Sequence, residues 1–176
     1  MPTLFTHAAV PLLVGSAVGK QRVSHRLLFA GAMAAILPDM DVLSFRFGIV
    51  YADPFGHRGA MHSVAFALLV ALAAAGLHRR LHTPAARAFV FVGLAALTHP
   101  LLDMLTDGGL GVALAWPLSG QRYFFPWRPI HVSPIGVRFF SARSWSVLES
   151  ELLWVWLPAS LLSLALWRWL RRGNVQ

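Results

Sequence analysis

The residues in this sequence that could do chemistry are histidines and acidic residues at the borders of apolar stretches. Neutral imidazole nitrogens and carboxylate oxygens together suit zinc, manganese or iron. The sequence contains no cysteine, which excludes thiolate ligands and disulfides. His99 and Asp103 stand four residues apart, so a helix would place them on one face, where they could bind one ion or two adjacent ions. The candidate metal ligands are His7, Asp39, Asp41, His57, His62, His99, Asp103 and Glu151.

Each of these motifs also has a purely structural interpretation. An Asp-x-Asp pair after a proline, such as Asp39 and Asp41, is typical of a turn or a helix cap. Glu149 and Glu151 could be the negative charges that a helix N-terminus favours. A single histidine within a membrane bundle is often only hydrogen-bonded. We expect that structural role for three histidines that stand near arginines, His25, His78 and His82.

Five apolar stretches must position these residues, at 6–18, 27–37, 62–77, 88–105 and 148–170. The sequence is 57% hydrophobic and 12% charged, against about 25% charged residues in soluble domains. The last three stretches approach or reach the roughly 20 residues of a bilayer span. We therefore predict an all-α integral membrane bundle of about five hydrophobic helices in one domain, 1–176. An irregular outer segment, 106–147, is rich in aromatic residues and arginine.

The distribution of charge predicts which end of the bundle carries the chemistry. Basic residues cluster after the first, third and fifth stretches, which the positive-inside rule assigns to the cytoplasm. All seven acidic residues and the candidate ligands then fall at the opposite, extracytoplasmic end. The net charge of +8 belongs to these membrane flanks, so we expect no nucleic-acid partner.

Histidine and aspartate ligands with open coordination positions predict a hydrolytic centre. Such a centre activates water and polarises a phosphoryl or carbonyl oxygen. Asp39 or Asp41 could be a ligand or a general base, and Arg58 could steady a phosphate. Further arginines of the outer segment could do the same or could anchor lipid headgroups; they are Arg122, Arg128, Arg138 and Arg143. At the membrane surface, this chemistry favours an amphiphilic phosphate ester as substrate and membrane lipids as partners.

The order of the motifs resembles a known family. The motifs are Thr6-His7, Pro38-Asp39-x-Asp41, His57-Arg58-Gly59-x-x-His62-Ser63, His99-Pro100-x-x-Asp103 and Trp116-Pro117. They are similar to those of the YdjM-type, LexA-regulated, membrane-bound metal-dependent hydrolases of bacteria, which are distantly similar to zinc-dependent phospholipase C.

The resemblance implies a multi-pass protein of the bacterial cytoplasmic membrane and one to three divalent ions, with zinc favoured. It implies that the ligands are His7, Asp39 or Asp41, His62, His99 and Asp103. This sequence lacks the later His-x-x-x-Glu pair of the phospholipase group, and Glu151 could replace only part of it.

Two other functions stay open at this stage. A non-enzymatic ion-binding membrane protein or transporter would also hold histidine and acidic residues inside helices. Transporters usually bind ions near the bilayer midplane, however, whereas these residues collect at one end. A metal-dependent peptidase or amidase is disfavoured because no His-Glu-x-x-His motif is present. The substrate, the metal and the oligomeric state are not determined by the sequence.

Overall fold

The protein is an all-α bundle, as predicted. The computed structural model describes residues 1–134 and 143–172, and in these ranges no extended strand forms beyond two isolated bridges. The α-helices are α1 Leu4–Val18, α2 His25–Ile36, α3 Val64–Gly76, α4 Ala85–Met104, α5 Arg143–Glu151 and α6 Leu157–Arg172. Two 3-10 helices, Leu37–Phe47 and Ala60–His62, lie between α2 and α3, and a π-helical turn, Leu152–Trp156, joins α5 to α6.

Three continuous helical segments are long and apolar enough to cross a membrane: His25–Phe47, Ala85–Met104 and Ser144–Arg172. Two shorter apolar helices, Leu4–Val18 and Val64–Gly76, accompany them. The second stretch is therefore longer than we predicted and the third is shorter. Pro38 ends the α-helix at Ile36 because it lacks a backbone N–H, but the chain continues as a 3-10 helix that carries Asp39 and Asp41.

Hydroxyl side chains fix where the first three helices begin. Thr3 accepts a hydrogen bond from the backbone N–H of Thr6 at the start of α1, and Ser24 caps α2 in the same way. Ser63 accepts from the N–H of Phe66, so α3 begins at Val64. His62, predicted to lie within an apolar helix, is left in the short 3-10 turn just before it.

Small residues let the helices pack closely. The packed pairs are α1 with α2, α2 with α4, α3 with α4, and α1 with α6. The ring of Phe91 on α4 fills the space above Gly15 and Gly31, where a Cβ atom would collide with it. The core is rich in alanine, whereas large apolar side chains such as Phe29 and Trp169 are mostly exposed. That arrangement is expected where lipid surrounds the bundle, because lipid-embedded helices associate through small residues.

The irregular segment after α4 folds back onto the helix ends. The N–H of Phe125 donates to the carbonyl of Met104, and the N–H of Val64 donates to the carbonyl of Leu114. These bonds tie the segment to the end of α4 and to the start of α3. The predicted boundary of the last apolar stretch differs, because α5 begins at Arg143. The part of the segment at 135–142 lies outside the described residues.

Candidate metal centre

The structure brings seven of the eight candidate ligands together at one end of the bundle. Each of the seven is at most 5% exposed. They come from the start of α1, the 3-10 helix after α2, the turn before α3 and the last turns of α4. Two groups have ligand atoms that lie within 4.8 Å of one another: His7, His99 and Asp103, and Asp39, His57 and His62. The convergence predicted from helix alternation is therefore present.

Four donor atoms from these two groups face a common point. The Nε2 atoms of His62 and His99 are 3.0 Å apart. Asp39 Oδ1 lies 3.4 Å from the His99 Nε2 and 3.9 Å from the His62 Nε2. Asp103 Oδ2 lies 3.3 Å from the His62 Nε2 and 3.9 Å from the His99 Nε2. We call Asp39, His62, His99 and Asp103 the four-donor centre.

The spacing and the chemistry of these donors fit a divalent cation. In a tetrahedral site with bonds of about 2.0–2.1 Å, neighbouring ligand atoms stand about 3.3–3.4 Å apart. Both carboxylate oxygens of Asp39 and of Asp103 are buried without a hydrogen-bond partner. Buried polar atoms are normally satisfied, so four carboxylate oxygens without hydrogen bonds beside two imidazoles favour a cation as their partner.

Contacts behind the two histidines aim their Nε2 atoms at this point. The Nδ1 of His99 lies 2.7 Å from the carbonyl oxygen of Ala35, to which only a protonated nitrogen can donate. The Nδ1 of His62 lies 3.0 Å from Asp41 Oδ2. Both contacts leave the Nε2 lone pair free for a metal, as outer partners of metal-bound histidines usually do.

Asp41 was predicted as a ligand or base, and its position suits an orienting role better. Its Oδ1 is 2.6 Å from the His57 Nδ1, and its Oδ2 also accepts the backbone N–H of Arg58 at 3.0 Å. With the contact to His62, both oxygens are engaged. Asp41 therefore links His57, His62 and the Arg58 backbone in one array beside the four-donor centre.

Arg58 is fully buried, and its guanidinium group is tied to neighbouring residues. Its Nε lies 3.1 Å from Asp103 Oδ2, and its two Nη atoms donate to the Gly108 carbonyl and to the Thr106 hydroxyl. The backbone adopts a left-handed conformation, with φ of 63°. The charge of Arg58 therefore acts on Asp103, and its contact with a substrate phosphate stays a prediction.

His7 extends the cluster beyond the four donors. Its ring stacks on His99 with centroids 3.7 Å apart, and its Nε2 lies 3.7 Å from Asp103 Oδ1. Neither of its ring nitrogens has a hydrogen-bond partner, although the side chain is fully buried. Asp103 thus presents one oxygen to the four-donor centre and the other to His7. That geometry would suit a second ion next to the first.

The charges of the cluster affect His62 in particular. Burial alone would lower the pKa of the His62 imidazole, but the nearby carboxylates of Asp103 and Asp41 outweigh burial and raise that pKa to about 9. Metal ligands must be deprotonated, so a cation entering the centre would displace this proton.

Glu151 lies outside both groups of potential ligands. Its Oε2 accepts hydrogen bonds from the hydroxyls of Thr3 and Thr6, each at 2.6 Å, and its Oε1 accepts the Thr3 backbone N–H at 2.5 Å. The structure therefore places this candidate ligand against the start of α1.

The described arginines of the outer segment contact backbone carbonyls or aromatic rings. Arg122 donates to the carbonyls of His57, Tyr51 and Asp53, and Arg128 lies over the ring of Phe124. Arg143 is the first residue of α5, and Arg138 lies outside the described residues.

His131 is half-exposed and its Nδ1 lies 2.8 Å from Asp107 Oδ2, away from both groups of potential ligands.

Sequence reasoning missed two groups that support the cluster, the Thr106 hydroxyl and the Ala35 carbonyl. Thr106 follows the His99-x-x-x-Asp103 motif by three residues and is fully buried, but nothing in its type distinguishes it from a loop threonine. A backbone carbonyl leaves no signal in the sequence at all. Both became visible only in the three-dimensional packing of the chain.

The regions of this sequence that match known proteins include the whole site. The family model of the YdjM inner membrane protein matches residues 1–175. The chain is 47% identical over 174 residues to the inner membrane protein YbcI of Escherichia coli strain K12, across 98% of this chain and 100% of that protein. No solved structure matches. Because the match spans nearly every residue, it includes all the candidate ligands as well as the apolar helices.

Proposed function

The chain belongs to the YdjM family of inner membrane proteins, and from that premise we propose that it is a membrane-bound metal-dependent hydrolase that cleaves a phosphoester of a lipid or another amphiphile. The family membership agrees with the resemblance drawn from the motifs. The observation that carries the proposal is the four-donor centre, in which two imidazole Nε2 atoms lie 3.0 Å apart and an oxygen of each of two carboxylates lies 3.3–3.9 Å from both of them.

Asp39, His62, His99 and Asp103 would hold the cation, with zinc the best match to these donors. A divalent ion at this position would supply an activated water and polarise a phosphoryl oxygen. His7 and Asp103 Oδ1 offer a place for a second ion. His57 contacts Asp41 through its Nδ1, which leaves its Nε2 as the atom that could join the ligand set.

The remaining residues of the cluster keep the donors in place. Asp41 holds the imidazoles of His57 and His62 in fixed orientations. Arg58 forms an ion pair with Asp103 and fixes the direction of its carboxylate. Three buried carboxylates, Asp39, Asp41 and Asp103, stand against one buried guanidinium group. The two negative charges in excess match the charge of a divalent cation.

An apolar groove is lined by residues that neighbour two of the donors along the sequence, which supports an amphiphilic substrate. The groove has a volume of about 530 Å³ and is lined by residues that include Val64, Leu68, Met104 and Phe124. Val64 lies two residues after His62, and Met104 directly follows Asp103. A hydrocarbon chain in this groove would hold its phosphate near the four-donor centre.

The proposed site faces the extracytoplasmic side of the membrane. The basic residues Lys20, Arg22 and Arg26, together with Arg79 and Arg80, lie at the other end of the helices. Cytoplasmic flanks of membrane helices are enriched in such residues. The substrate would then be a phosphate ester at the outer surface of the inner membrane.

The test is a hydrolysis screen of purified protein with phospholipids and other amphiphilic phosphodiesters, in the presence of zinc or manganese. We expect phosphate-ester cleavage that a chelator abolishes and that added metal restores. His62→Ala and Asp103→Ala should each remove this activity, while the control His131→Ala, in the half-exposed pair with Asp107, should keep it. Full activity in both the His62 and Asp103 variants would refute the proposal.

The complete burial of the four donors favours a second candidate, a non-enzymatic ion-binding protein or transporter. An ion-uptake assay in vesicles separates the two. Uptake that depends on Asp103, without any ester hydrolysis, would select the transporter. Hydrolysis without uptake would select the enzyme.

A further inference from the structure

We propose that Glu151 and Trp156 form a clamp that positions His7 in the metal centre, so that the last helix controls one ligand of a site to which it contributes no donor. The inference rests on the proposed metal centre and deepens it. The Glu151 side chain is buried, with 1% of the residue exposed, and the proposed chemistry does not use its carboxylate.

Glu151 and Trp156 meet on the first turn of α1. Glu151 accepts hydrogen bonds from the hydroxyls of Thr3 and Thr6 and from the Thr3 backbone N–H. The indole Nε1 of Trp156 donates to the Thr6 hydroxyl at 2.8 Å. The Thr6 hydroxyl thus accepts a hydrogen bond from Trp156 and donates one to Glu151. Together these two hydrogen bonds fix the position and the rotation of the first turn of α1.

The π-helical turn explains how two residues five positions apart reach the same hydroxyl. In an α-helix, residues i and i+5 point about 140° apart, because successive residues are rotated by about 100°. A π-helix closes its hydrogen bonds between i and i+5, so such residues lie on one face. The π turn at Leu152–Trp156 directly follows Glu151, which brings Glu151 and Trp156 to the same side of the helix.

Fixing Thr6 also fixes the next residue, His7. The His7 side chain has no hydrogen bond of its own, and its Nε2 lies 3.7 Å from Asp103 Oδ1. Stacking on His99 leaves the ring free to slide if α1 shifts. The register of α1, held by Thr3 and Thr6, therefore determines where the His7 Nε2 stands relative to Asp103.

Glu151 is better suited to this role than to metal binding. Each of its two oxygens already accepts at least one short hydrogen bond, and all three donors belong to the N-cap and the first turn of α1. A glutamine in its place would present an NH₂ group where the Glu151 Oε2 now accepts hydrogen bonds from two hydroxyls. The positioning contact would be weakened while the size of the side chain stayed the same.

Binding of cobalt(II) to the purified full-length protein tests the clamp, because the visible absorption of cobalt reports its ligand geometry. We expect Glu151→Gln to shift the spectrum toward that of His7→Ala and to weaken cobalt binding about tenfold, in the range typical of outer partners of metal ligands. Glu149→Gln, two residues earlier and exposed, is the matched control and should give the wild-type spectrum and affinity.

Trp156→Phe is a second test that removes only the indole N–H and keeps an aromatic ring. It should move the spectrum in the same direction with a smaller loss of affinity, even if Glu151→Gln fails to fold. A lower melting temperature in Glu151→Gln or Trp156→Phe with an unchanged spectrum would overturn the clamp, since a purely structural role predicts that result. An unchanged spectrum in His7→Ala would also overturn it while leaving the four-donor centre intact. A wild-type protein that binds no cobalt would refute the metal centre itself.

Discussion

Asp103 is the residue on which most of the cluster converges. One of its oxygens lies 3.1 Å from the Arg58 Nε and 3.3 Å from the His62 Nε2, and the other faces His7 at 3.7 Å. Neither oxygen makes a hydrogen bond within the described part of the protein. Arg58 stabilises the negative charge, so the carboxylate stays available to a metal even though it is fully buried.

The raised pKa of His62 predicts how metal affinity depends on pH. Without metal, a pKa of about 9 keeps His62 protonated at neutral pH, and the cation must displace that proton. Affinity should therefore rise about tenfold per pH unit through the neutral range and level off above the pKa, and uptake should release about one proton. Chelator competition at several pH values, with calorimetry in buffers of different ionisation enthalpy, measures both. An affinity that is constant with pH would contradict the assignment of His62.

The orienting role of Asp41 predicts a graded effect. Asp41→Asn keeps the shape of the side chain but removes the charge that holds the Nδ1 atoms of His57 and His62. We expect metal affinity to fall about 10–100-fold, with the metal still binding at full stoichiometry. Asp39→Asn, which alters a proposed donor, should lose bound metal altogether. Equal losses in the two variants, measured by competition with a chelator, would mean that Asp41 is itself a ligand.

At the scale of single residues, the identities of the candidate ligands could be predicted from the sequence, and their partners could not. The four-residue spacing of His99 and Asp103 places both on one helix face, as observed. The roles of Asp41, Arg58 and Glu151 depend on contacts with residues 17, 45 and 148 positions away, respectively. No local pattern encodes such pairings.

At the scale of elements, the loops after α4 hold the cluster from outside. Gly109 adopts a left-handed backbone with φ of 92°, and a Cβ there would lie 2.7 Å from the Arg58 Nη1 and 2.8 Å from the Tyr51 hydroxyl. This close approach allows Arg58 to reach the carbonyl of Gly108 while its Nε faces Asp103. The conformation of the loop at Gly109 and the position of the Arg58 guanidinium group therefore depend on each other.

Gly109→Ala should destabilise the protein by about 1–3 kcal/mol, because the new methyl group meets Arg58 and the backbone is strained for any other residue. The matched control is Gly76→Ala at the end of α3, where a Cβ would have open space and no positive φ exists. That control should be neutral or slightly stabilising. Unfolding in detergent measures both. A stability for Gly109→Ala equal to that of the control would contradict the close packing of this loop.

The elements show where sequence patterns succeed and where they fail. The hydropathy of the five stretches predicted the helices and their alternation, because burial in lipid requires long apolar runs. It placed the break at Pro38 correctly but not the 3-10 helix that follows, since hydropathy does not distinguish a 3-10 helix from an irregular connection. The sequence did not predict the π turn at Leu152–Trp156 either.

At the scale of the whole molecule, the absence of cysteine makes orientation directly measurable. Gly120→Cys lies on the site side and Gln21→Cys on the basic side, and both positions are exposed. A membrane-impermeant maleimide added to spheroplasts should label only Gly120→Cys, because the basic loops are predicted to face the cytoplasm. Labelling of only Gln21→Cys would place the site at the cytoplasmic face and reverse the proposed orientation.

The central claim, that this end of the bundle is a metal centre, is tested most directly by elemental analysis of the purified protein. The account predicts at least one equivalent of zinc or another divalent transition metal per chain. In a variant that carries both His62→Ala and His99→Ala, but that remains folded by circular dichroism, less than about a tenth of that amount should remain. A folded wild-type protein that contains no such metal, and takes up none when it is supplied, would contradict the account.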